Sequence, residues 1–62
     1  MGQQMSKWTQ KSKYHITNEH LTIAEIHLRD KVLYELWEGK YFIARGDLKE
    51  MQLLGKSLLL KV

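Results

Sequence analysis

Residues 29–54, RDKVLYELWEGKYFIARGDLKEMQLL, hold two short strand-like runs, a glycine-containing turn between them and then a capped amphipathic helix. Val32 to Trp37 and Tyr41 to Arg45 are rich in the aromatic and β-branched residues that suit a pleated, half-buried surface. Between them, Glu38-Gly39-Lys40 supplies a glycine for the left-handed backbone of a tight hairpin. Gly46 ends the second run. Asp47 stands where a side chain caps a helix, with Glu50 at the capping-box position. Leu48, Met51, Leu54 and Leu58 then recur at helical spacing and predict one apolar stripe. A hairpin followed by a helix is the smallest unit that covers one apolar sheet face, so this run predicts the fold.

Upstream, Tyr14 to Thr17 has strand propensity, Thr17-Asn18-Glu19 is turn-like, and His20 to Arg29 mixes β-branched and aliphatic residues. Arg29-Asp30-Lys31 is a polar break. One long helix over residues 17–38 competes with this reading, because Leu21, Ala24, Leu28, Val32 and Leu36 also fit a helical stripe. Ile23, Ile26, Leu33 and Trp37 would then crowd its other faces, and a helix apolar all round must be buried everywhere. A 62-residue chain can hardly arrange that. The sequence therefore predicts an α+β domain, a small antiparallel meander of three to four strands packed against one C-terminal helix. Residues 14–62 form this compact domain. Residues 1–13, rich in Gln, Ser and Lys, read as a flexible basic arm from which Trp8 alone docks.

Alternation along the strands assigns Ile26, Val32, Tyr34, Leu36, Ile43, Leu48, Met51 and Leu54 to the core. A register slip of one residue exchanges the strand members for Leu33, Trp37, Phe42 and Ala44. Gly55 either ends the helix or costs about 1 kcal/mol inside it. The tail Leu58 to Val62 continues the helix, pairs as an edge strand or meets another subunit.

Composition bounds what the chain does. At 62 residues it is one domain that buries only about 60% of its unfolded surface, so its stability is marginal. Without cysteine it has no disulfide, thiolate metal site or thiol nucleophile, which suits a cytoplasmic setting. With 44% hydrophobic residues it is too apolar to be a disordered tail, and no apolar run approaches a membrane span. The net charge of +3 is unevenly spread. Residues 1–18 carry three lysines and no acid; residues 19–38 carry five acids against two bases; residues 39–62 carry five bases against two acids.

No motif assigns a reaction. Gly55-Lys56-Ser57 echoes the end of a phosphate-binding loop, but Glu50 stands where that motif needs its first glycine. Arg45-Gly46-Asp47 is explained by a strand end and a helix cap. His15, His20 and His27 follow no metal-ligand spacing. The chain is expected to be non-enzymatic, with no metal, cofactor or small-molecule substrate. One helix cannot cover both faces of the sheet, so an aromatic or aliphatic patch stays open and predicts a protein-binding surface. Its contact residues are expected to be Trp37, Tyr41, Phe42, Leu58, Leu59 and Leu60, with a protein partner or a second copy in a homodimer. The simpler alternative is that the N-terminal segment or the Leu-rich tail folds over that face.

A nucleic-acid binder is the rival reading, with Lys7, Lys11, Lys13, Lys40 and Arg45 on phosphates and neighbouring aromatics on bases. In its sheet-and-helix layout this arrangement resembles the arm-binding domains of phage-type integrases, without a motif in common. The small, cysteine-free and proline-free chain also looks like the accessory proteins of phages and mobile elements, which implies binding to another factor.

Overall fold

The computed structural model describes residues 7–60. Five strands run in chain order: β1 (Thr9–Ser12), β2 (His15–Asn18), β3 (Leu21–His27), β4 (Val32–Glu38) and β5 (Tyr41–Gly46). One helix, α1 (Leu48–Leu60), follows. The strands form a single antiparallel meander in the order β1-β2-β3-β4-β5. The α+β class is therefore as expected, with five strands in place of three or four. The extra strand, β1, comes from the segment read as an arm. Its residues 9–12 pair with β2, while residues 1–6 of that segment lie outside the described residues. The long helix over residues 17–38 does not form; that stretch holds the end of β2, then β3 and β4.

Register decides the core. Ile16 faces Ile23 across β2–β3, Ile23 faces Leu36 across β3–β4, and Leu36 faces Ala44 across β4–β5. Leu21, Ile23 and Leu36 are fully buried there, under Met51 and Leu59 of α1. Tyr34, Ile43, Ala44, Leu48, Leu54 and Leu58 pack around them. A bulge at Ile43 explains why both Ile43 and Ala44 reach the core: the extra residue breaks the alternation.

Two expected core residues are misplaced. Tyr34 pairs with Glu25, so Ile26 lies on the opposite face, paired with Leu33. β5 ends at Gly46, opposite Tyr34, where the chain turns back into α1. Val32, two residues further along β4, lies beyond the helix and is 45% exposed.

The helix begins where the sequence suggests. Asp47 takes the N-cap position, its carbonyl accepting the first helical bond from the Met51 N–H at 2.9 Å. Glu50 places a negative charge in the first turn, where the helix dipole favours it. Gly55 sits inside the helix, and its role is close packing. A Cβ there would come within 2.9 Å of Trp8 Cζ2 and 3.3 Å of Leu21 Cδ1. The bare backbone thus makes a notch for the Trp8 ring, which ties the residue just before β1 to α1.

The hairpin turns differ in quality. Gly39 has φ +61, with Lys40 at negative φ, which suits the primed turn that matches strand twist. In the β2–β3 turn, Glu19 holds φ 59, a conformation that costs an L-residue about 1–2 kcal/mol. Beside it, Asn18 is buried and its Nδ2 has no hydrogen-bond partner. This turn is the strained point of the sheet.

Two stability measurements follow. Glu19→Gly should raise stability by about 1 kcal/mol, or a Tm shift of about 4–8 °C, by relieving the left-handed backbone; an unchanged or lower Tm contradicts the strain. Gly55→Ala should destabilise by about 1 kcal/mol despite its better helix propensity, because the methyl group overpacks against Trp8. In a Trp8→Ala background the same change should become stabilising, and a denaturant-based double-mutant cycle reads that reversal.

Candidate functional site: the open face of the sheet

The sheet has one face under α1 and one face that no described residue covers. Trp8 packs on the helix side, against Gly55 and the core, and Leu59 is only 6% exposed beneath α1. Neither the described part of the N-terminal segment nor the helical tail folds over the other face, so the covering expected as the simpler alternative is not formed by them.

Pairing builds this face in rows across the strands. The first row runs Thr9, Thr17, Thr22, Trp37, Phe42 from β1 to β5. The second runs Ser12, His15, Ala24, Glu35, Arg45. Ile26 and Leu33 pair at the far end of β3 and β4. The two rows are divided by size. Their members on β1–β3 are small or hydroxylated apart from His15, and those on β4–β5 are bulky. The open face is therefore a trough beside a ridge.

The ridge is a connected cluster. Trp37 and Phe42 meet edge to face, with ring centroids 5.5 Å apart. Trp37 Nε1 donates to Glu35 Oε1 at 3.2 Å. Arg45 donates to Glu35 Oε2 through Nε at 3.2 Å and Nη2 at 2.9 Å. The Arg45 guanidinium also lies 5.9 Å from the centroid of the Phe42 ring. Strand alternation produces this cluster: Glu35 and Trp37 are two residues apart on β4, and the β5 bulge brings Phe42 and Arg45 onto the same side opposite them. The Glu35 side chain is 15% exposed, so its charge is tolerated because Arg45 and Trp37 both donate to it. Within these rows the charges of Glu35 and Arg45 offset each other.

The other expected residues are scattered. Tyr41, 70% exposed, stands at the hairpin end of β5, paired with Glu38. Leu59 belongs to the core and is corrected from contact residue to core residue. It follows Met51 by eight positions, which turns it inward. Leu58 packs against the core, and of that trio only Leu60 is exposed. Both lie on α1, away from Trp37 and Phe42. Lys7 and Lys11 are exposed on and before β1; Lys13 lies in the β1–β2 turn, its Nζ 5.4 Å from the Tyr14 ring centroid. Lys40 occupies the β4–β5 turn at the opposite corner of the meander. The structure does not gather these cations with Arg45 into one groove.

The histidines make local pairs. His20 Nε2 lies 2.9 Å from Glu38, and His27 Nε2 lies 2.5 Å from Glu25. His15 Nδ1 lies 2.7 Å from Ser12 Oγ. No group of three or more potential metal ligands converges among the described residues. Beside the start of α1, Tyr14, Glu25, Tyr34 and Leu48 line a cleft of about 180 Å³. No helix among the described residues is long and apolar enough to cross a membrane.

Compared with protein-family models, with curated proteins and with solved structures, the chain matches none.

Substitutions separate the two faces. Leu36→Ala, beneath the helix, should cost about 2–5 kcal/mol. Phe42→Ala, on the uncovered face and 49% exposed, should cost about 1 kcal/mol or less in urea unfolding at low protein concentration. Equal costs would mean that the open face is part of the core.

Proposed function

We propose that this is a small non-enzymatic interaction protein that binds a protein partner through the open face of its sheet. The observation that carries the reading is the row Thr9, Thr17, Thr22, Trp37, Phe42, left uncovered and flanked by the self-neutralised Glu35–Arg45 pair. Aromatic residues and arginine are the favoured anchors of protein interfaces, and an exposed aromatic ridge in a chain this small is surface available for binding. Neutrality favours protein over nucleic acid. Phosphate binding needs cations free to replace counterions, whereas Arg45 is held by Glu35 and the lysines stand at separate corners. The absence of cysteine supports placing the protein in the cytoplasm.

Variant-dependent capture tests this. Wild type, Trp37→Ala and a Lys11→Ala/Lys40→Ala double variant are used as baits in extract of the source cell, with and without nuclease. The expected result is a bound protein retained by the lysine variant, lost by Trp37→Ala and indifferent to nuclease. In parallel, mixed-sequence DNA and RNA titrated against the chain should show no saturable binding at about 0.1 M salt. Nuclease-sensitive capture, or nucleic-acid affinity that falls linearly with log salt and weakens in the lysine variant, would favour phosphate contacts and overturn the reading.

A further inference from the structure

We infer that the partner seated on the open face is a second copy of this chain, packed face to face about a two-fold axis parallel to β3. The inference deepens the reading above and rests on it.

The face is self-complementary in shape. A two-fold axis along β3, midway between two sheets, keeps the position along each strand and exchanges β5 with β1 and β4 with β2. The first row of one copy then lies on the first row of the other, reversed. Trp37 stands over Thr17 of the second copy and Phe42 over its Thr9, while Thr22 meets the central strand. Ridge fills trough, and the symmetry makes each contact twice, as an isologous interface requires. An axis perpendicular to β3 would instead set aromatic ridge on ridge and leave the threonine trough empty. The preferred axis also keeps the strands of both sheets nearly aligned, the common geometry of packed sheets about 10 Å apart.

Charge fits the same arrangement. In the second row, reversal places Glu35 over His15 and Arg45 over Ser12. The acid faces an imidazole that already contacts Ser12 Oγ, and the guanidinium faces a hydroxyl. No like charges are opposed. The chain also has reason to associate. The chain has no cysteine, and among its described residues the buried apolar core is five side chains and no metal-binding cluster stands. Small domains in that position rely on oligomerisation.

The area sets the strength. Five strands about 4.8 Å apart, over about six residues of about 3.3 Å each, give a face near 480 Å². Two such faces bury about 1,000 Å², at the lower limit for a specific interface, so the dimer should be reversible and micromolar.

Sedimentation of the full chain from about 1 μM to about 1 mM should show a monomer–dimer equilibrium centred in the micromolar range. Thr9→Arg and Phe42→Glu each lie on an edge strand, and circular dichroism checks that both variants fold. Either change alone should weaken dimerisation about tenfold or more. Mixing the two variants should restore a dimer. The arginine introduced in one copy then faces the glutamate introduced in the other, while the second contact stays native. Three outcomes overturn the inference. They are a wild type that stays monomeric throughout, a dimer indifferent to both changes, or single-variant loss that mixing does not repair. A monomeric wild type whose capture of another protein is still lost in Trp37→Ala would remove self-association and leave the binding face standing. Capture unaffected by Trp37→Ala would remove the face itself.

Discussion

A sheet has two faces, and this chain has one thirteen-residue helix to cover them. That constraint organises the molecule. At about 1.5 Å per residue, α1 is roughly 20 Å long, and it spans the sheet from the level of Tyr34 to that of Leu21. Under it, Leu21, Ile23, Leu36, Met51 and Leu59 are removed from water. Beyond it, Val32 is exposed. On the opposite face nothing equivalent happens, and the side chains there have a different character. Threonines maintain strand propensity without bulk, and the largest apolar groups are gathered into one aromatic pair. The carboxylate of Glu35 is made tolerable by two donors from its own neighbours.

The notch at Gly55 is what allows a single helix to suffice. Trp8 enters α1 where a side chain would stand, and the same point touches Leu21 of β3. One contact thus joins the segment before β1, the central strand and the middle of the helix. It also keeps β1 in place. That strand has four residues and an irregular register, and by its own pairing it would be a marginal edge. Short length, a bulge and Lys11 are the ordinary protections of an edge strand, and β5 has its own bulge at Ile43. Both edges are therefore poorly suited to recruiting a further strand, which leaves the broad face as the better surface for association.

Much of this was legible in the sequence, for physical reasons that can be named. Gly39 marks a hairpin because its turn needs positive φ, and Asp47 marks a helix start because the first turn needs an acceptor. The alternation of Val32 to Trp37 placed Tyr34 and Leu36 under the helix and Trp37 on the open side. Other features were hidden because they depend on contacts remote in sequence. Gly55 is ambiguous until Trp8 is known to lie against it. The segment 9–12 carries no hydrophobic period because one face of β1 is solvated and the other meets little. Leu59 looks like part of an exposed tail unless α1 continues through Leu60. Ile26 misleads because an odd separation from Ile23 moves it to the other face. The salt link between Glu35 and Arg45, ten residues apart, follows only once the β5 bulge fixes the register, and it removes Arg45 from the set of free cations.

The distribution of charge bears most directly on what the open face does. A face that is merely solvated can carry lysine and glutamate freely, and the outer side of α1 does so with Lys49, Glu50 and Lys56. The chain has ten basic residues, yet the one that the register sets in these rows is Arg45, and Glu35 holds it. Exclusion of charge from a surface that water could reach gains nothing for solubility and little for the stability of the monomer. It lowers the desolvation cost of covering that surface, which matters only if something covers it. The small and bulky halves of the rows point the same way, since a surface divided evenly into trough and ridge about its central strand is complementary to its own rotated image.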